Sequence, residues 1–298
     1  MIVVSLFNGM GTLRQAFHDL GIPVEKYYSS EVKPYAIELQ QHHFPDVIQV
    51  GDVTKWREWD IDWANVDFIG SGSPCQDLSA AGKRAGLNGS RSSLFFTFVD
   101  ILNHVKELNP NVKFLQENVG SASKLDVGIM SRALGVYPVR INSSLVTAQL
   151  RDRYYWTNIR TKETFFDVVS DIPQPRDLKI KLNDILTSGF SKEEKHVCLK
   201  QSSSRPAVSQ EALLHRDATT GMITLIHEGN IVRVANKIEM CRLQGFTDDY
   251  CDILDVHKAG SLLGDGWTLP IIVHILSYLN GFEKTEVGGE KFKTKNCN

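Results

Sequence analysis

The chain has no surplus of basic charge. Its 33 Lys and Arg stand against 35 Asp and Glu, a formal net charge of -2. That excludes a basic coat for blanket nucleic-acid binding, although a local patch can still supply phosphate contacts. Cysteine is scarce and odd in number: five residues, at 75, 198, 241, 251 and 297, with no CxxC pair. A zinc ribbon and a thioredoxin-like pair are therefore not indicated, and at most one thiol needs a chemical role. The nine His show no ligand spacing, so no metal is expected. Long apolar runs are missing too. Ile2 to Phe7 is interrupted by Ser5, is too short for a membrane span and has no basic flank. A soluble, cytoplasmic chain with no membrane partner is expected. With 10 Pro and 22 Gly, collagen-like and proline-rich architectures are excluded. At 42% apolar and 23% charged residues, wholesale disorder is excluded as well.

What is present is length and alternation. The 298 residues suffice for one large domain, or for one domain carrying a smaller lobe. Strand-like segments at Ile2–Phe7, Lys26–Val32, Val47–Val50, Val66–Gly70 and Val112–Gln116 alternate with helical spacing at Leu13–Leu20, Tyr35–Phe44 and Leu94–Leu108. Repeated βα units predict an α/β fold: a doubly wound, mostly parallel sheet covered on both faces. Regularity fades after about residue 160. Pro173, Pro175, Pro206 and the Gln201–Ser204 run predict a small irregular lobe rather than a linker. Helical pattern returns at Ile238–Leu243 and Ile271–Leu279, and the end of the chain reads as a frayed tail. The expected division is 1–160 catalytic, 161–235 lobe, 236–282 return to the first domain, and 283–298 tail.

Four places carry chemistry. Phe7-Asn8-Gly9-Met10-Gly11 joins a strand to a helix, where glycines admit a ligand close to the backbone. The absence of GxGxxG and of Lys-Ser/Thr weakens a dinucleotide or P-loop assignment, and a plain tight turn is the alternative. Glu31 ends the second strand, where such folds place an acid for ribose hydroxyls. Asp52, after the third strand, could accept from an adenine amino group. Either acid alone could be a cap, but three sheet-end positions in register suggest an adenosine-containing cofactor. Cys75, in Gly72-Ser73-Pro74-Cys75-Gln76, sits after the fourth strand, at the edge where parallel sheets bind ligands. Its neighbours include Gly82, Lys83, Arg84 and Arg91. They favour a thiolate nucleophile under a lid over a buried structural thiol. Glu117-Asn118-Val119 offers a carboxyl beside that nucleophile. In Gln149-Leu150-Arg151-Asp152-Arg153, an extended backbone would turn both arginines to one face, ready for a phosphate or a base carbonyl. The alternative is a solvated basic strand.

In this order the motifs resemble the cytosine-5 DNA methyltransferase family. Leu243-Gln244-Gly245-Phe246 and Gly264-Asp265-Gly266-Trp267-Thr268 look like its last two motifs. The resemblance spans roughly 1–160 and 236–282, leaving the family's variable target-recognition region between. Ser-Pro-Cys and the compact middle are similar to the de novo eukaryotic branch. A bare catalytic unit such as a bacterial or phage enzyme is expected. The resemblance implies methyl transfer from S-adenosylmethionine to carbon 5 of a flipped-out cytosine in sequence-specific duplex DNA. Cys75 would form the covalent intermediate, with Glu117, Arg151 and Arg153 beside it. Phe7, Gly9, Gly11, Glu31, Val32, Asp52, Val53, Pro74, Leu94 and Trp267 would hold the cofactor. Gln76, Ser79, Arg91, Asn118 and Gln149 would meet the substrate. In the middle, Lys179, Lys181, Lys192, Lys195, Lys200, Arg205 and Arg216 are candidate phosphate contacts. Duplex DNA is the expected partner, with room for a cognate restriction endonuclease. Two departures stand out: Asp265 replaces a frequent Asn, and Asn236-Lys-Ile-Glu239 replaces Thr-Pro-Arg-Glu. The tRNA enzymes that share these motifs usually carry Cys-Phe-Thr in the middle region. That signature is absent between Thr161 and Arg233, which favours DNA. Paralogues that only bind lose the nucleophile or the glycine loop, and this chain keeps both.

Overall fold

A computed structural model describes residues 1–74, 94–203, 209–220 and 223–279, with side chains left undescribed at 216–220. The five expected strands join two that were not anticipated, the last two in chain order, in one sheet of seven. These are β1 (Ile2–Leu6), β2 (Lys26–Ser30), β3 (Ile48–Gln49), β4 (Phe68–Ser71), β5 (Lys113–Val119), β6 (Val139–Asn142) and β7 (Asp152–Thr157), in the order β3-β2-β1-β4-β5-β7-β6. The pairs from β3 to β5 are parallel, whereas β7 runs against both β5 and β6. The doubly wound, mostly parallel fold is borne out.

Strand periodicity builds both faces. Val3, Tyr27, Phe68, Leu115 and Tyr155 point into one apolar cluster, and their neighbours Val4, Tyr28, Ile69, Phe114 and Trp156 into the other. The first face packs on α1 (Thr12–Asp19), α2 (Pro34–His43), α6 (Lys237–Gln244), α7 (Val256–Asp265) and α8 (Leu269–Leu276) through Phe17, Leu39, Met240, Leu262 and Ile271. The second packs on α3 (Leu94–Leu108) and α4 (Lys124–Leu134) through Phe98, Leu102 and Met130. Val256–Leu276 has the length and hydropathy of a membrane span. It is broken by extended backbone at Gly266, and most of it is buried in the core.

Some boundaries differ from expectation. The third strand shrinks to two residues. The fifth runs on through Glu117-Asn118-Val119 instead of stopping at Gln116, because β7 pairs with it there, Glu117 opposite Tyr155 and Val119 opposite Arg153. Helices α4 and α7 were not anticipated. The irregular segment holds two hairpins, β8 (Thr161–Glu163) with β9 (Val168–Ser170) and β10 (Ile226–Glu228) with β11 (Ile231–Arg233), and helix α5 (Gln210–Thr220). Leu213, Leu225 and Val232 make a small core of their own. Ile172, Leu182, Ile185, Leu199 and Ile226, by contrast, join the main core, so the segment is partly continuous with the sheet domain.

The altered Asn236–Glu239 stretch braces that segment. Asn236 and Glu239 form a capping box at the start of α6. Glu239 is fully buried. Its carboxylate accepts from both Arg233 Nη atoms, at 2.7 and 2.9 Å, and from Thr187 N and Oγ1. Burial alone would raise its pKa, but the Arg233 and backbone hydrogen bonds outweigh that and hold it below the ordinary carboxylate value. A depressed carboxylate stabilises the fold above its unfolded value and loses that contribution as pH falls through the folded one. Arg233→Met should therefore lower unfolding free energy in urea at pH 7 by about 3–5 kcal/mol, since it strands a buried charge. Wild type should lose part of the difference as pH drops below about 4.5.

Candidate active site

The rim formed by the carboxyl ends of the parallel strands opens into a cleft of about 850 Å³. Because β7 is reversed, its first residues lie on the same rim, and Arg153 arrives beside Glu117. The cleft is lined by Phe7, Gly9, Glu31, Val32, Asp52 and Val53 at one end and by Pro74, Glu117, Arg153 and Trp267 at the other, with Leu94 also on its wall.

At the first end the glycine loop is strained and heavily pinned. Phe7 adopts a left-handed φ of 55°, which costs an ordinary side chain about 1–3 kcal/mol. Gly9 and Gly11, at 56° and 84°, take the same region without that cost. Asn8 fixes the turn. Its Oδ1 accepts from Ser5 Oγ and Tyr27 OH, and its Nδ2 donates to Ser29 Oγ and Gln40 Oε1. Gln40 Nε2 then donates to Gly9 O at 2.6 Å. Gly11 packs behind the loop against Gln40 rather than on the cleft wall.

Glu31 is nearly buried and accepts three main-chain N–H groups, from Gly9 at 2.8 Å, Val32 at 2.8 Å and Lys33 at 2.9 Å. Asp52 caps the following 3-10 turn, with Thr54 N and Oγ1 both 2.9 Å from Oδ1. Those bonds hold it below the usual carboxylate range. Its role as a cap and its place on the cleft wall thus coexist. Val32 is 66% exposed on that wall, an apolar side chain with no core to cover it. Two fixed acids beside an exposed apolar surface fit an adenosine: hydroxyl and amino donors for the acids, a flat ring for Val32, Val53 and Phe7.

At the other end, Glu117 is 8% exposed and held from two sides. Arg153 Nε lies 2.8 Å from its Oε1, and Trp267 Nε1 donates to its Oε2 at 3.1 Å. Gly72 makes room for that indole, since a Cβ there would stand 2.7 Å from Trp267 Nε1. The turn after β4 is fixed by Ser73 Oγ, which accepts from Gln116 Nε2 at 2.9 Å and from Asn118 Nδ2 at 3.3 Å. Asn118 is 1% exposed, so it supports the turn and does not face the cleft. Cys75, Gln76, Ser79 and Arg91 lie outside the described residues.

Besides Gly11 and Asn118, three assignments are corrected. Arg151 does not share a free face with Arg153. It is 2% exposed, and its guanidinium donates to Leu199 O at 3.1 Å, Gly264 O at 3.2 Å and Gly266 O at 2.8 Å. The backbone there precedes β7, so strand alternation does not govern it. Gln149 is fully buried and donates to Leu243 O at 2.6 Å and Gln244 Oε1 at 3.0 Å, tying the last helices together instead of meeting a substrate. In the irregular segment, Lys195 Nζ is spent on the carbonyls of Ser144, Thr147 and Ile180 and is no phosphate contact. Burial lowers its pKa. Lys181 pairs with Glu194 at 3.2 Å. Sequence gave no sign of Lys33, Gln201 or Cys198 at this site. Cys198 Sγ lies 3.3 Å from Arg151 Nη1 and 3.7 Å from Arg153 Nη2. Burial would raise its pKa, but the two arginines outweigh that and lower it. Among the described residues, no group of three His, Cys, Asp or Glu could hold a metal.

Sheet order, the single reversed strand and the rim cleft define the S-adenosylmethionine-dependent methyltransferase fold. The Entamoeba histolytica methyltransferase EhMeth has this fold, with a TM-score of 0.66 over 94% of this chain and 97% of that one at 15% identity. Residues 1–216 match the family of C-5 cytosine-specific DNA methylases, and the chain belongs to that family. Similar curated proteins include the orphan methyltransferase M.SPRI of Bacillus phage SPR, 32% identical over 63% of this chain and 42% of that protein. Another is the type II methyltransferase M.NgoBV of Neisseria gonorrhoeae, 36% identical over 39% of this chain and 27% of that protein. The chain spans less than half the length of these relatives.

If Glu31 holds the ribose, Glu31→Ala should weaken S-adenosylhomocysteine binding roughly 10–100-fold in calorimetry, the loss of a hydrogen bond to a charged group. Asn118→Ala should leave that affinity within a few-fold.

Proposed function

We propose that the protein transfers a methyl group from S-adenosylmethionine to carbon 5 of a cytosine flipped out of duplex DNA. The observation that carries this is one cleft with two chemically distinct ends. Glu31 and Asp52 flank an exposed apolar wall at one, and the Arg153–Glu117–Trp267 cluster stands at the other, beside the strand end that leads to Cys75. Family membership supports the reaction class.

Carbon 5 of cytosine is a poor nucleophile. Addition of the Cys75 thiolate to carbon 6 forms a carbon–sulfur bond and pushes the ring electrons toward carbon 5, which makes it enamine-like. A proton delivered from solvent through Glu117 to ring N3 would stabilise the charge that develops there, and the carboxylate would be restored as it passes. The carboxyl cannot rotate freely between Arg153 and Trp267, so it is aimed before the base arrives. Arg153, drawn to the base carbonyl, would release one carboxyl oxygen for that transfer. Glu31, Asp52, Val32 and Phe7 would hold the cofactor, which when bound supplies an electrophilic methyl group. Loss of the carbon 5 proton to a base or water then returns electrons to the ring and expels Cys75. Flipping the base costs a few kcal/mol; the stretch 76–93, expected from sequence to cover the gap, lies outside the described residues. The segment 161–235, and Lys179–Arg233 within it, is assigned to sequence preference. Some relatives are named type II methyltransferases and others orphan ones, so a cognate endonuclease is a partner that only a genomic neighbour would establish.

The test is transfer of labelled methyl from S-adenosylmethionine to duplex DNA and to bulk tRNA in parallel, with bisulfite mapping. Label should enter DNA and fall roughly 10³-fold or more in Cys75→Ser. Label on tRNA alone would overturn the DNA substrate. Label on neither, with folded protein, would overturn the reaction.

A further inference from the structure

Asp265 stands where bacterial members of the family often have Asn, and the proposed reaction makes no use of its charge. In the structure Asp265 is the centre of a junction. Its Oδ2 accepts from Lys33 Nζ at 2.9 Å and from Gln201 Nε2 at 2.5 Å. Lys33 belongs to the cofactor end of the cleft, and its own main-chain N–H holds Glu31 Oε1. Gln201 belongs to the segment assigned to reading DNA. Lys33, Asp265 and Gln201 all line the cleft, so the junction stands on its wall.

A second set of contacts joins the same two elements. Gly264 lies so close to the 200–201 peptide that a Cβ there would stand 2.2 Å from Lys200 C and 2.4 Å from Gln201 N. Buried Arg151 bonds Leu199 O on one side of this seam and Gly264 O and Gly266 O on the other. The backbone seam is fixed by Arg151 and by shape. Packing of Gly266 on Met10 and the Tyr35–Ser261 hydroxyl contact also join the two sides, and Asp265 adds the charged link onward to Lys33 and Glu31. An Asn at 265 would keep a carbonyl acceptor but no charge for Lys33. Burial would lower the Lys33 pKa, but the Asp265 carboxylate outweighs it and raises it, so Lys33 stays protonated at neutral pH.

We propose that Asp265 is a positioning residue that ties the acid at the cofactor end to the 199–203 segment, so that filling the cofactor site orders the DNA-reading side. The proposal rests on the function given above. It concerns this chain's Lys33–Asp265–Gln201 contacts. A ligand that steadies Glu31 steadies the Lys33 backbone, and through Lys33 and Asp265 it limits the excursions of Gln201.

The experiment is amide hydrogen exchange on the full chain with and without saturating S-adenosylhomocysteine, in wild type, Asp265→Asn and Lys33→Met. Wild type should gain protection both at 31–33 and at 199–203. In both variants the gain at 31–33 should persist and the gain at 199–203 should fall to less than a third of the wild-type value. Asp265→Glu, which keeps the charge, should restore at least half of it. A merely structural Asp265 would instead alter exchange equally with and without ligand. Protection at 199–203 that is absent in wild type, or retained in both variants, would overturn the proposal. No protection at 31–33 in wild type would overturn the cofactor assignment itself, and the proposal with it.

Discussion

Arg153 reaches Glu117 because one strand runs against its neighbours. In a wholly parallel sheet, β7 would carry its first residues to the far edge, away from the ligand rim. Reversal brings Arg153 alongside Val119 at the end of β5, its Nε 2.8 Å from the Glu117 carboxyl that Trp267 also holds. Three elements far apart in sequence thus meet on one side chain. Glycine at 72 lets the indole approach, and Gly120 lets the Asp152 side chain in, where a Cβ would stand 2.7 Å from its Cγ.

The rest of the site follows the same economy: backbone groups do the holding and leave side chains aimed at the cleft. Glu31 is fixed by three N–H groups and Asp52 by the turn it caps, so neither needs a cation. The glycine loop is over-determined by Asn8 and Gln40, which lets Phe7 remain in a left-handed conformation it would otherwise leave. Behind the rim, Gln149, Gln244 and Thr268 lock the last helices to the residues before β7 through buried hydrogen bonds. These make the returning chain part of the sheet domain.

The sequence revealed what depends on short range. Strand periodicity, the Gly-rich turn and the sheet-end acids are local patterns, and the parallel βα architecture follows from them. The burial of Arg151 and Gln149 was hidden because both are polar residues in a motif that looks exposed. Their partners, Leu199 and Leu243, are main-chain carbonyls that no side-chain pattern announces. Strand β5 ran past its expected end because an antiparallel partner, not the apolar run, sets its length. The Lys33–Asp265 pair, 232 residues apart, could not be foreseen without the fold. Asp265 did stand out as an unusual residue, which is as far as one sequence reaches.

The account's central claim is that the two ends of the cleft serve one covalent reaction. Intact-protein mass spectrometry after incubation with S-adenosylmethionine and a duplex carrying 5-fluorocytosine in randomised flanks tests it most directly, because fluorine at carbon 5 blocks the final elimination. A stable adduct weighing protein plus strand plus methyl, dependent on Cys75 and much slowed in Glu117→Gln, is the predicted result. A chain that binds S-adenosylhomocysteine yet forms no adduct would contradict the account, as would an adduct that survives Cys75→Ser.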